Sequence, residues 1–303
     1  MALSKVNIDT NIPPCTDYYQ NEMLQNERGL KLFYQRFLPK NELKAIVIFV
    51  HGVQEHSSRY NHVLINLAED GIAGISYDHQ AHGRSDEVEG RRATCKSFQE
   101  FVDDLKLVID HARKEIKADV PLFIWGQSFG GCVTANFILQ NEDYIGDKGG
   151  VVLTSPYLGK DLNLVEKMQL TIGTRLAKYF PHLPVVKAVK VQDMSKDPRA
   201  QKDYTEDPLN LIGDMRLYLS LSINDAAANV MENAAKVNSN LLIMFGDTDR
   251  CCSLEYARKY FDKVSSSNKK FKVFDGLYHT MFHEPEQKKI IEYMRQHILN
   301  TIA

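Results

Sequence analysis

The stretch Gly126-Gln127-Ser128-Phe129-Gly130 constrains this chain more than any other, because it joins a short apolar run, Pro121 to Trp125, directly to a helix-compatible segment. A G-x-S-x-G turn between strand and helix forces its serine into a sharp, strained conformation, lifts Oγ clear of the sheet and leaves room only for glycine on either side. The free N–H groups that open the following helix then point at the same spot. The pattern alone is loose. The strand before it, Gly131 after it and an acid and a base downstream make Ser128 a candidate nucleophile.

With 303 residues and 44% hydrophobic content, the chain can bury one large core, so a single domain over residues 1–303 is expected, carrying an inserted lid at 157–235. A formal net charge of -2 argues against a dedicated nucleic-acid binder, which carries a basic excess or stripe. Met1 to Lys5 lead into polar Asn7, Asp9 and Asn11, and no run has signal-peptide or membrane-spanning length. The expectation is a cytoplasmic chain able to touch a membrane peripherally, its oligomeric state left open. Cys15, Cys95, Cys132, Cys251 and Cys252 form no C-x-x-C pair and leave an odd one over, so free thiols are expected rather than disulfides or a zinc site.

Apolar runs of strand length alternate with helical periodicities, the pattern of an α/β chain with a mainly parallel sheet covered on both faces. Leu30 to Tyr34 follows the turn-forming Asn26 to Gly29 and predicts a leading antiparallel strand. Ala45 to Val50 is continuously apolar, as a strand buried on both faces should be. Ile72 to Tyr77, Leu122 to Trp125, Val151 to Thr154, Leu241 to Phe245 and Phe271 to Phe274 supply further strands. Phe98, Phe101, Val102, Leu105, Val108, Ile109, Ala112 and Ile116 form a helical stripe behind a capping box of Ser97 and Glu100. The last helix is expected to start at Pro285 and to bury Ile290, Ile291, Met294 and Ile298.

From Ser155 to Asn238 no core strand is evident, although a crossover between parallel strands needs only a few tens of residues. The excess reads as a helical insertion, with Val165, Met168, Ile172, Leu176 and Tyr179 on one face and Leu162, Leu164, Leu170 and Phe180 widening the stripe. Between Lys160 and Lys202 nine basic residues face four acidic ones, a local charge of +5. An amphipathic helix with basic flanks predicts reversible contact with anionic membranes.

A serine hydroxyl needs a histidine to take its proton and a carboxylate to hold that imidazole. Carboxylates stand just beyond the strand Leu241 to Phe245, where Asp249 is preferred to Asp247 because it lies two residues deeper in the loop. The base lies beyond the last strand, where Gly276 before His279 favours a turn presenting its ring, with His283 a nearby rival. Each loop sits at the carboxyl end of a strand, where ligands meet open α/β sheets. Asp78, His79 and His82 have metal-like spacing, but no second cluster completes a site, so neither metal nor cofactor is expected.

In this order His51 to Tyr60, Asp78 to Ser85, Gly126 to Gly131, Asp203 to Leu209, Asp249-Arg250 and Tyr278-His279 resemble the monoacylglycerol lipases and related lysophospholipases of the α/β-hydrolase superfamily. The resemblance runs from about residue 28 to the C-terminus. It implies an α/β-hydrolase fold, a triad of Ser128, Asp249 and His279, and an oxyanion hole of the Val53 and Phe129 backbone N–H groups. It places Glu55, Arg59 and Tyr204 near the polar head of a lipid ester substrate. The chain departs from the family at Ala81, usually glycine, and at Phe129, commonly methionine. It also has Phe282 where the animal monoacylglycerol lipases carry a histidine three residues after the catalytic one. Monoacylglycerol hydrolysis through an acyl-enzyme is the leading expectation. The alternatives are a lysophospholipase or other carboxylesterase, a phenolic-ester hydrolase or peptidase, and a non-enzymatic ligand-binding scaffold.

Overall fold

The computed structural model describes residues 16–161, 163–187 and 189–303. Cys15, the N-terminal residues and Leu162 lie outside the described residues, as do the side chains of Val165 and Lys167. An eight-stranded sheet forms the centre, from β1 (Tyr19–Gln25), β2 (Lys31–Phe37), β3 (Ala45–Val50), β4 (Ile72–Tyr77), β5 (Leu122–Gln127), β6 (Gly150–Thr154), β9 (Leu241–Gly246) and β10 (Lys269–Phe274), in the order β1-β2-β4-β3-β5-β6-β9-β10. Its pairs are parallel except where β2 meets β1 and β4. The α/β-hydrolase expectation is met. Between β6 and β9 lie β7 (Pro184–Val186) and β8 (Met215–Arg216), which pair only with each other.

Alternation along each strand explains the continuous apolar runs. In β3, Ile46, Ile48 and Val50 point into one core while Ala45, Val47 and Phe49 point into the other. The first core is closed by α2 (Gln99–Ile116), α3 (Phe129–Asn141) and α8 (Leu254–Lys263), which contribute Leu105, Val133 and Tyr260 among others. The second is closed by α1 (Asn61–Glu69) and α9 (Gln287–Ile302), through Val63, Leu67, Met294 and Ile298. The insertion supplies α4 (Leu164–Ala177), α5 (Val191–Met194), α6 (Pro198–Glu206) and α7 (Leu217–Asn233). Among the described residues no helix is long and apolar enough to cross a membrane, and Cys95, Cys132, Cys251 and Cys252 are free.

Several local expectations are corrected. Ser97 and Glu100 form no reciprocal box, because α2 begins at Gln99, one residue too late for Ser97 to cap it. Ser97 Oγ accepts from Gln99 N at 3.2 Å, and Glu100 Oε2 accepts from Lys96 N at 3.0 Å instead. A box does form on α4, where Asn163 Oδ1 accepts from Glu166 N at 2.9 Å and Glu166 Oε2 accepts from Asn163 N at 3.0 Å. The last helix starts at Gln287 rather than Pro285, since a turn closed by Gln287 N donating to Glu284 O at 3.0 Å precedes it. The stripe on α4 is divided. Leu170, Ile172 and Leu176 border a cavity, whereas Leu164 is 85% exposed and Met168 also faces outward.

Candidate active site

The turn after β5 is strained as its sequence requires. Ser128 has φ +54 and ψ -118, a conformation costing a non-glycine residue roughly 1–3 kcal/mol. It is held because its N–H donates to Thr154 O at 3.1 Å, while its carbonyl accepts from Gly131 N at 3.0 Å and Tyr157 N at 2.9 Å. The flanking glycines are obligatory. A Cβ on Gly126 would lie 2.6 Å from Gly130 O, and one on Gly130 would lie 2.0 Å from Val50 O.

The loops after β9 and β10 bring an acid and a base beside this turn. His279 Nδ1–H donates to Asp249 Oδ2 at 2.8 Å, and Asp249 Oδ1 accepts from Cys251 N at 2.7 Å and Cys252 N at 3.0 Å. Asp247 instead accepts from Gly276 N at 2.7 Å and so shapes the turn before His279. His283 is turned away, its Nε2 against Arg59 O at 3.1 Å. Cys252 Sγ stands 3.9 Å from Ser128 Oγ, a neighbour that adjacency to Asp249 only hints at. The structure draws no hydrogen bond between Ser128 Oγ and the His279 ring. Such a contact often tightens only when substrate binds.

Burial of the His279 ring disfavours its charged form, but the Asp249 charge, the Asp249 hydrogen bond and the charge of Glu55 outweigh it and hold its pKa above the ordinary 6.5. Burial pushes the Cys251 and Cys252 thiols far up, so both stay protonated at neutral pH. Asp249, Cys251 and His279 present ligand atoms within 4.8 Å of one another, yet His279 Nδ1 is committed to the carboxylate and Cys251 is a thiol. Asp78, His79 and His82 face separate partners. The Asp78 carboxylate accepts from Ser57 Oγ at 2.6 Å, His79 Nε2 meets His51 O at 3.1 Å and His82 Nδ1 meets Gln80 O at 2.9 Å.

Val53 and Phe129 flank Ser128 on the wall of a cavity of about 790 Å³. Among the described residues neither backbone N–H has an acceptor, so both can receive one. Most of the remaining wall comes from the insertion, through Leu170, Leu176, Val185 and Leu217. Glu55, Arg59 and Tyr204 do not line it. Glu55 Oε1 accepts from Gly52 N at 2.8 Å and Tyr60 Oη at 3.2 Å, while the Arg59 guanidinium lies 5.0 Å over the Tyr204 ring. Phe282 is buried against Trp125, ring centroids 4.7 Å apart, and does not line the cavity. The insertion also grips the base loop, since Thr280 N donates to Met194 O at 2.7 Å.

A strained serine after a parallel strand, a buried histidine–carboxylate pair and a largely apolar cavity define a serine hydrolase of the α/β-hydrolase class. The chain belongs to the family Hydrolase_4, described as "Serine aminopeptidase, S33", which matches residues 41–286. Within that class it is similar to monoacylglycerol lipases. It is 27% identical to a monoacylglycerol lipase of Mycolicibacterium smegmatis over 90% of this chain and 95% of that one. It is 26% identical to the monoglyceride lipase of Homo sapiens, over 90% and 87% of the two chains. The fold also matches a soluble variant of the Saccharomyces cerevisiae monoglyceride lipase solved with a substrate analog, at a TM-score of 0.80, 20% identity and 99% coverage of both chains.

Proposed function

We propose that this enzyme cleaves carboxylic esters of lipids, foremost monoacylglycerol to fatty acid and glycerol, through an acyl-enzyme on Ser128. The carrying observation is the 2.8 Å Asp249–His279 pair beside a strained Ser128 that opens on the 790 Å³ apolar cavity. His279 Nε2 takes the Ser128 proton as Oγ attacks the ester carbonyl, and the Val53 and Phe129 N–H groups receive the oxyanion. His279 then protonates the departing alkoxide and activates the water that releases the acid. The relatives named above act, by their names, on monoacylglycerol, and a cavity walled by leucine and valine suits an acyl chain. Glu55, Arg59 and Tyr204 stand behind the Val53 loop at the polar end of the substrate, at one remove from it. The insertion over residues 157–235 acts as the lid.

A hydrolysis panel of monoacylglycerols, lysophospholipids, short nitrophenyl esters and aminoacyl amides tests the substrate class. The expected order puts monoacylglycerol first in kcat/KM, and preference for lysophospholipid or amide overturns it. A fluorophosphonate probe should label wild type and spare Ser128→Ala. Equal labelling of both would remove Ser128 from the chemistry.

The lid also explains how a substrate that partitions into bilayers is collected. Leu164 and Tyr179, 85% and 80% exposed, stand out beside the exposed Met168, Ile172 and Phe180. Lys196 and Lys202 are paired with Glu286 and Glu206, acids outside the 160–202 count, so +5 overstates the attraction. Burying a large apolar side chain contributes about 1.5–3 kcal/mol, more than a screened surface charge. Vesicle co-sedimentation should therefore fall at least tenfold in a Leu164→Asp, Tyr179→Asp double variant and less than threefold on raising salt. Binding that ignores the double variant and vanishes in salt would assign the contact to charge. An absence of binding would leave the lid as a plain cavity cover.

A further inference from the structure

The loop bearing Val53 is fixed by the insertion as much as by the sheet. Gln54 has φ +62, a left-handed conformation that a residue with a Cβ holds only when its surroundings impose it. Those surroundings are residues 204–213. The Gln54 carbonyl accepts from Leu211 N at 2.9 Å and from Tyr204 Oη at 3.3 Å, and its side-chain Nε2 donates to Gly213 O at 2.9 Å. Two residues on, the buried His56 donates from Nε2 to Asp207 Oδ2 at 2.8 Å. The other oxygen of Asp207 accepts from Leu209 N at 2.9 Å, which sets the carboxylate's direction. On the opposite side of Val53, the Gly52 N–H is taken up by Glu55 Oε1 at 2.8 Å. The Val53 peptide is thus clamped at both ends, and one of the clamps belongs to the insertion.

We propose that segment 204–213 is a strut that aims the Val53 N–H, with Tyr204 and Asp207 as positioning residues acting through Gln54 and His56. The proposal rests on the reading of Val53 N–H as an oxyanion donor. A donor displaced from its aim loses most of its worth in the transition state, because hydrogen-bond strength falls steeply with distance and angle. Losing one such donor outright costs on the order of 10²–10³ in kcat. The strut also divides the insertion by duty. Residues 204–213 must stay seated for turnover, whereas α4, with Leu170 and Leu176, contributes only wall to the cavity.

Steady-state kinetics on a soluble ester, with kcat referred to sites titrated at Ser128, test the strut in Tyr204→Phe, Asp207→Ala and the double variant. Tyr204→Phe removes one hydroxyl and keeps the ring under Arg59. The expected result is a kcat about tenfold lower in each single variant and up to a hundredfold lower in the double, with KM within twofold and the acid limb of the pH profile unmoved. Affinity for a trifluoromethyl ketone, which places an oxyanion in the same hole, should fall by the factor lost in kcat/KM. Asp207→Asn, which can still meet His56, should recover most of the loss. A kcat per titrated site within twofold of wild type, with only a lower melting temperature, would make both residues merely structural. A rise in KM alone would make them head-group contacts. Either result overturns the strut while a dead Ser128→Ala leaves the hydrolase reading standing; hydrolysis by Ser128→Ala would sink both.

Discussion

Ser128→Ala and His279→Ala should each lower kcat by about 10⁴–10⁶ on any ester the enzyme turns over, and combining them should cost little more than either alone. The expectation follows from division of labour. Without Oγ there is no acyl-enzyme, and without the imidazole there is no base to ionise Oγ, so a second deletion removes a group that has lost its partner. A residual rate over water is the expected share of the two proposed oxyanion donors, the Val53 and Phe129 N–H groups. Neither change should unfold the chain. Ser128 is held by backbone hydrogen bonds that alanine retains, and relief of its hydroxyl does not alter φ +54. Single-turnover rates with circular dichroism on the same samples measure both halves. Multiplicative losses in the double variant would show that the two side chains act in separate steps.

The parts of this site carried by the main chain's sharpest demands were legible in advance. A continuous apolar run such as Ala45 to Val50 must be buried on both faces, and Gly126 and Gly130 admit no Cβ, so the strand and the strained turn that carries Ser128 follow from composition at a few positions. Pairing the acid was harder, because Asp247 and Asp249 share one loop and only the fold shows the first turned to Gly276 and the second to His279. Local signatures proved ambiguous where tertiary contacts compete. Ser97-x-x-Glu100 predicts a box that Gln80 and Lys96 disrupt by drawing off the glutamate, while Asn163-x-x-Glu166 carries the same signature and keeps it. Strand β1 buries only Tyr19 and Leu24 and so leaves no periodic trace. The left-handed Gln54 has no sequence signal at all, since nothing in a glutamine announces that three distant bonds will hold it.

Ala81 shows how a departure from a family pattern is absorbed. Its φ of +59 is one that glycine adopts freely, and the chain sustains alanine there by pairing its N–H with Asp86 O at 2.9 Å and its carbonyl with Ala93 N at 2.8 Å. The turn next to Asp78 thereby keeps its shape. Asp78 in turn fixes Ser57 and Arg84, so the loop that carries His56 is anchored from below by the sheet while Asp207 holds it from above.

Asp249→Asn should lower kcat about 10⁴-fold and move the acid limb of kcat/KM to lower pH. Asparagine keeps an oxygen for the Cys251 and Cys252 N–H groups, so the loop survives. Its amide nitrogen then faces His279 Nδ1 and donates to it, which places the ring proton on Nε2, where the base must accept one. The sign of the shift follows from what holds the pKa up. Burial lowers it, and the Asp249 charge and hydrogen bond are the larger of the influences that carry it above 6.5. The imidazole must be neutral to act as base, so wild-type kcat/KM should fall tenfold per pH unit below a midpoint lying above 6.5. With the carboxylate gone, burial prevails and the midpoint drops. Stability runs the opposite way. A raised folded pKa contributes stability fully below 6.5 and loses it as pH rises through the folded value, so the His279 contribution is largest where the enzyme is least active. Asp247→Asn, which touches only the Gly276 turn and its own threonine neighbour, should retain activity within about threefold and an unmoved midpoint. An Asp249→Asn profile with the wild-type midpoint, or an Asp247→Asn variant as slow as Asp249→Asn, would transfer the acid's role away from Asp249.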